Sequence, residues 1–190
     1  MAGALPTQPL SHDDYFSLEQ AQDQRFEYIA GEVFAMTGGT ERHALISVST
    51  GAALLAALRG KPCRVYGSDM KLRIGEHDKF CYPDVMVLCK EGRRSKRYVE
   101  EPLCIVEVLS DSTESYDRGL KFEHYRSISS LQSYLLLNQD RAHAELFERD
   151  PNGTWHLAEA SGTEVAINIT SMGISLALSD LYQQVDFDSD

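Results

Sequence analysis

No apolar run in this 190-residue chain approaches the roughly 20 residues that a membrane-spanning helix needs, which excludes a bilayer segment as its organising element. Cysteine is scarce. Cys63, Cys81, Cys89 and Cys104 form no CxxC pair and have no Cys/His cluster beside them, which argues against structural zinc on that spacing. Buried free thiols in a reducing cytoplasm are the simplest account of them. Basic side chains are also few: 18 Lys and Arg stand against 29 Asp and Glu, a formal charge of −11 that weakens any broad attraction to a polyanion. There is no GxSxG elbow, no P-loop, no internal repeat and no low-complexity tract. Residues 1–10 are neutral and interrupted by Pro6 and Pro9, without the basic and apolar regions of a secretory signal, and the expected location is cytoplasmic.

What is present is an ordinary globular composition. Hydrophobic residues make up 43% and charged residues 25%, which rules out disorder, collagen and coiled coil as the main architecture. A chain of this length buries roughly 70% of the surface its unfolded form exposes, enough for one full core. The expected division is a flexible N-terminus over 1–10, a single domain over 11–185 and an acidic tail over 186–190. Charge is uneven along it. Residues 11–27 hold five acids and one base, and 164–190 hold five acids and no base. By contrast Lys90, Arg93, Arg94, Lys96 and Arg97 crowd one short stretch with Glu91 alone opposing them, a candidate nucleic-acid contact or simply a solvated loop.

Local patterns predict the elements. Ser11 followed by Asp14 has the form of a capping box and opens a short helix to about Ala21. Phe26-Glu27-Tyr28-Ile29 and Glu32-Val33-Phe34-Ala35-Met36 flank Ala30-Gly31 as a hairpin. Thr40 caps a helix over 41–58, stopped by Gly60-Lys61-Pro62. Residues 68–75 alternate like a half-buried strand, while 81–89 and 103–109 are near-continuous apolar runs of the kind covered on both faces. A helix over about 113–126, strands over 133–137, 143–148, 154–158 and 165–169, and a closing helical turn over 178–184 complete the series. The fold class is α/β, of mixed α+β character. Its core order is α-β-β-β-α-β around a mixed sheet, with an N-terminal helix and hairpin and extra C-terminal strands.

Two acids stand where acids are costly. Asp84 lies in Tyr82-Pro83-Asp84-Val85-Met86-Val87-Leu88, and Glu107 in Leu103-Cys104-Ile105-Val106-Glu107-Val108-Leu109. A carboxylate inside a covered strand loses at least several kcal/mol of solvation unless a cation compensates it. If the strands are neighbours, both acids can face one divalent ion; the alternative is that each pairs with its own Arg or Lys. On the following helix Asp117, Lys121 and Tyr125 fall at i, i+4 and i+8, one face of a helix. That spacing serves an exposed Asp117–Lys121 pair as readily as an ammonium held over the two carboxylates.

These residues together resemble a known family. Gly31-Glu32, His43, Pro83-Asp84-Val85, Glu107-Val108-Leu109-Ser110 and the Asp117…Lys121…Tyr125 stripe are similar in order and spacing to the Uma-type restriction-endonuclease family of the PD-(D/E)XK nuclease superfamily, over roughly residues 12–185. The resemblance implies the restriction-endonuclease-like fold and metal-assisted hydrolysis of a nucleic-acid phosphodiester. Asp84 corresponds to the Asp of the PD motif and Glu107 to the acid of (D/E)XK. Leu109 stands where the superfamily's lysine is usual, and Lys121 resembles the migrated lysine of some branches. Glu32, His43, Asp117 and Tyr125 match positions near the site. The implied cofactor is Mg²⁺ or Mn²⁺, held by Asp84, Glu107 and a backbone carbonyl near Val108; the implied partners are nucleic acid, DNA first, and a second copy of the chain, with the strands after Leu137 as an interface. Two other readings follow from the same residues: a catalytically reduced nucleic-acid- or protein-binding module, suggested by Leu109 and the acidic exterior, and an acid–base carboxyl pair acting on a sugar.

Overall fold

In the computed structural model, residues 8–36, 38–89 and 95–188 are described. Ser11 caps helix α1 (His12–Gln22), its hydroxyl accepting from the Asp14 N–H while the Asp14 carboxylate accepts from the Ser11 N–H. The hairpin follows as β1 (Phe26–Ile29) and β2 (Glu32–Ala35). Gly31 turns it at φ +94°, and a Cβ there would sit 2.3 Å from the Pro9 Cβ, so only glycine lets the N-terminal arm lie against the turn. Thr40 caps α2 (Glu41–Ala57) by accepting the His43 N–H.

The strands of the centre are β3 (Cys63–Gly67), β4 (Lys71–Ile74), β5 (Lys79–Cys81), β6 (Val85–Cys89), β7 (Tyr98–Val99) and β8 (Cys104–Leu109). Next come α3 (Glu114–Tyr116), a wide turn at 117–121 kinked at Gly119, and α4 (Phe122–Arg126). The remainder is β9 (Ser133–Asn138), β10 (His143–Arg149), β11 (Trp155–Ser161), β12 (Ala166–Ile169), β13 (Ile174–Ala177) and α5 (Leu178–Leu181).

These strands form three sheets. The largest runs β11-β10-β9-β8-β6-β3 and is mixed, with β8 and β9 parallel and the other pairs antiparallel. A second runs β2-β1-β5-β4-β7, and β12 pairs with β13. Alternate residues of the large sheet feed two apolar layers. Val85, Val87, Val106, Leu135 and Leu146 pack with Ile46 and Leu54 of α2. Met86, Ile105, Leu109 and Leu136 pack with Phe122 and Tyr125 of α4. The second sheet is sealed by Tyr15, Phe26, Tyr28 and Phe80. Among the described residues no helix is long and apolar enough to cross a membrane.

The α-β-β-β-α-β order holds, but its first strand is β3; the alternating 68–75 segment supplies β4 of the other sheet after a turn. The expected strand over 81–89 is two strands. Pro83 has no N–H to give a ladder, and the chain leaves one sheet at Cys81 and enters the other at Val85. The thiols are also corrected: Cys63 and Cys89 stand opposite each other in the β3–β6 register and form a disulfide, leaving Cys81 and Cys104 as buried free thiols.

Candidate functional site

Glu107 sits in β8, a strand with all six residues buried, and faces the helix layer between Ile105 and Leu109. The Lys121 Nζ lies 2.9 Å from its Oε1, and the Tyr125 hydroxyl donates to the same oxygen at 2.7 Å. Lys121 is shared: Asp117 Oδ1 is also 2.9 Å from its Nζ. The kink at Gly119 does not part them, because both ends of the wide turn face the sheet and are buried. The stripe of three is thus an interior cluster, with Lys121 and Tyr125 both on Glu107 and Asp117 on Lys121.

Asp84 occupies the break before β6. Counting back along the ladder from the Val85–Val106 pair sets Asp84 beside Glu107. Its Oδ2 accepts the Val108 N–H at 2.7 Å, a bond the ladder itself does not supply because pairing ends at Val85. The same oxygen is 3.1 Å from Nε2 of His43, in the first turn of α2. Gly39 lies against that imidazole so closely that a Cβ would come within 2.9 Å of Nδ1. Asp84, Glu107, Asp117, Lys121 and His43 all open on one cleft of about 710 Å³, whose rim carries Phe34, Ser110 and Tyr116.

Electrostatics mark the centre. Burial pushes the Glu107 carboxyl up to about 8, with Asp84 and Asp117 adding to the rise and Lys121 and Tyr125 opposing it. Burial also disfavours the Lys121 ammonium, but Glu107 and Asp117 outweigh it and hold its pKa well above the usual lysine value. The bond to Asp84 raises His43 against the lowering effect of burial. Glu107 and Asp117 therefore share the Lys121 ammonium, while Asp84 beside them pairs with His43.

Other expected residues lie elsewhere. Glu32 is exposed on the hairpin and does not reach the cleft. Lys96 and Arg97 are exposed, and the Arg97 guanidinium lies over the Phe16 ring at 4.9 Å, in an adjoining hollow that also contains Glu19 and Lys71. Arg93 and Arg94 fall outside the described residues. Two residues were not anticipated. Glu27 of β1 lines the cleft, 3.8 Å from the buried Lys79, whose ammonium donates to the Tyr116 hydroxyl at 2.7 Å. Glu27 was legible only as the outward residue of an alternating strand.

The fold and this cleft define a chain of the restriction-endonuclease-like class, and comparison with known proteins agrees. Residues 12–179 match the family model "Uma2: Putative restriction endonuclease", and the chain belongs to that family. Uncharacterized protein slr1290 of Synechocystis sp. (strain ATCC 27184 / PCC 6803 / Kazusa) is 33% identical over 97% of both chains. Uncharacterized protein sll1609 of the same organism is 31% identical over 88% of this chain and 97% of its own. The crystal structure of "a putative nuclease belonging to DUF820" from Anabaena variabilis ATCC 29413 shares the fold, with a TM-score of 0.73 and 15% identity over 94% of this chain and all of that one.

A divalent ion fits the residues present. The donor set is carboxylate oxygen, suited to a hard cation that keeps several waters. Burial drives Glu107 upward and the Asp84 and Asp117 charges add to the rise; a bound cation opposes both.

Proposed function

We propose that this protein is a metal-dependent endonuclease that hydrolyses nucleic-acid phosphodiester bonds, with DNA as the first substrate to test. The observation that carries the reading is the surplus of carboxylate: Glu107 and Asp117 both pair with the Lys121 ammonium, and Asp84 stands beside Glu107 on the same open cleft. Asp84 and Glu107 would hold Mg²⁺ or Mn²⁺, which would supply a water of lowered pKa and stabilise charge on the phosphate. Lys121 fixes the Glu107 carboxylate and stays charged, so that it neutralises a phosphate oxygen or orients the attacking water. Tyr125 locks Glu107 from below and His43 steadies Asp84 from the α2 side. In a divalent-dependent cleavage assay, Asp84→Asn and Glu107→Gln should each lose on the order of 100-fold or more in rate. Wild-type rates in both variants overturn the mechanism.

Leu109 favours a second reading, a module that binds without cleaving. It stands two residues after Glu107 and is buried in the apolar layer. Divalent-independent binding with no turnover on any DNA or RNA form selects that reading instead.

A homodimer is also proposed, with α2 as the contact. Between His43 and Arg59 this helix carries no charged side chain, and its outer face shows Ala44, Val48 (66% exposed), Ala52 and Leu55 (60% exposed). Antiparallel packing about Gly51 sets Val48 on Leu55 of a second copy and brings Glu41 toward Arg59, so apolar meets apolar and opposite charges meet at the ends. Val48→Glu should yield a monomer by analytical ultracentrifugation, and an unchanged mass overturns this contact.

A further inference from the structure

The large sheet carries a second ionisable cluster on the same face as Glu107 but two strands away, which the phosphodiester chemistry does not use. Glu145 of β10 and Glu159 of β11 are direct cross-strand partners, a like-charge pairing that destabilises a sheet unless something lies between them. His143 lies two residues before Glu145, on the same strand face. Its side chain is about nine-tenths buried, and its Nε2 points between the two carboxylates. That nitrogen stands 3.4 Å from Glu145 Oε1 and 3.5 Å from Glu159 Oε1, and the three donor atoms lie within 4.8 Å of one another.

Those separations are long for hydrogen bonds, whose N···O distances run to about 3.2 Å. They match the edge of a metal tetrahedron: donors at about 2.0–2.2 Å from zinc stand roughly 3.3–3.5 Å apart. The atoms behind the donors are held as ligand-orienting partners usually are. Nδ1 of His143 is 2.7 Å from the Ser161 hydroxyl. Arg118 holds the other oxygen of Glu145 and also binds Glu114. Tyr182 pins the His143 backbone, accepting its N–H at 3.2 Å and donating to its carbonyl at 2.6 Å.

We propose that His143, Glu145 and Glu159 bind a divalent cation of the zinc class, with water in the fourth position. One imidazole with two carboxylates suits Zn²⁺ better than Mg²⁺, which demands an oxygen octahedron. Glu159 is 57% exposed, so the open position faces solvent. The site is separate from the cleft. Glu145 pairs with Leu136 and Leu136 with Glu107, two strand spacings or roughly 10 Å apart, too far for a shared ion. Its function is to staple edge strand β11 to β10, and it does not rest on the nuclease reading.

The test is equilibrium dialysis of the full chain against Zn²⁺, with Co²⁺ visible absorption to report coordination number. With excess Mg²⁺ present to fill the cleft, wild type and Asp84→Asn should each hold one Zn²⁺ with tetrahedral Co²⁺ bands. Glu159→Gln, an exposed change that leaves folding intact, should weaken binding at least about tenfold, and His143→Gln should abolish it. Zn²⁺ should raise the melting temperature of wild type and Asp84→Asn alike, less that of Glu159→Gln, and leave His143→Gln unchanged. Equal Zn²⁺ affinity in wild type and Glu159→Gln, or binding lost with Asp84→Asn and kept with Glu159→Gln, overturns the proposal.

Discussion

Two buried lysines carry opposite lessons. Lys71 lies among the rings of Tyr15, Phe16, Phe80 and Tyr82, with its Nζ 4.4 Å from the Tyr15 centroid and paired to Glu19. Glu19 is in turn saturated, accepting from Tyr82 at 2.6 Å, Tyr15 at 3.1 Å and the Phe26 N–H at 3.2 Å. One charge answers one charge, and aromatic rings close over them. Lys121 answers two carboxylates, with Asp84 beside them, in an open cleft. The balanced pair is a joint between α1 and the smaller sheet. The unbalanced group holds a vacancy of charge, and binding chemistry starts from such a vacancy.

Their mutational signatures should therefore diverge. Lys71→Met leaves Glu19 buried and uncompensated, and chemical denaturation should show a loss of about 3–5 kcal/mol. Glu107→Gln removes part of a repulsion, so the metal-free protein should lose little stability or gain some. If both variants lose stability alike, the contrast fails. A smaller effect separates them by pH. The Glu107 carboxyl sits at about 8 in the fold, above its unfolded value near 4.3. Its favourable contribution thus belongs to the protonated form: complete below about 4.3, it fades as pH rises toward 8. Metal-free stability should fall across that window, and Glu107→Gln should flatten the slope. His43, raised by Asp84, acts in the same direction around neutrality. Lys71 has the opposite sign. Burial lowers its pKa, so stability is gained as alkaline pH approaches the usual lysine value. The smallest effect concerns the wall of the cleft: Thr40→Ala removes the α2 cap and should cost about 1 kcal/mol by thermal melting.

Much of this site was legible because local periodicity carries it. The Thr40 cap and Gly60 stop bounded α2, the apolar run around Glu107 marked β8, and a four-residue spacing placed Asp117 with Lys121. What local pattern misses is which sheet a strand joins. Residues 81–89 read as one strand because their apolarity is continuous; only the absent N–H of Pro83 hinted at the division. Glu32 and Glu27 both alternate in the hairpin, and nothing local tells which of them faces the cleft. The Cys63–Cys89 pairing is likewise a property of register between distant strands. The Lys71 cage draws on α1, β4, β5 and Tyr82, so no single window contains it.

The passage of the chain at Pro83-Asp84 has a mechanical corollary. One carboxylate hangs from the junction of two layers and its neighbour is embedded in one of them, so the span between them gauges how the layers are tilted. On the function proposed above, a polymer lying across both layers would bear on that span, and ion affinity and substrate affinity would then be thermodynamically reciprocal.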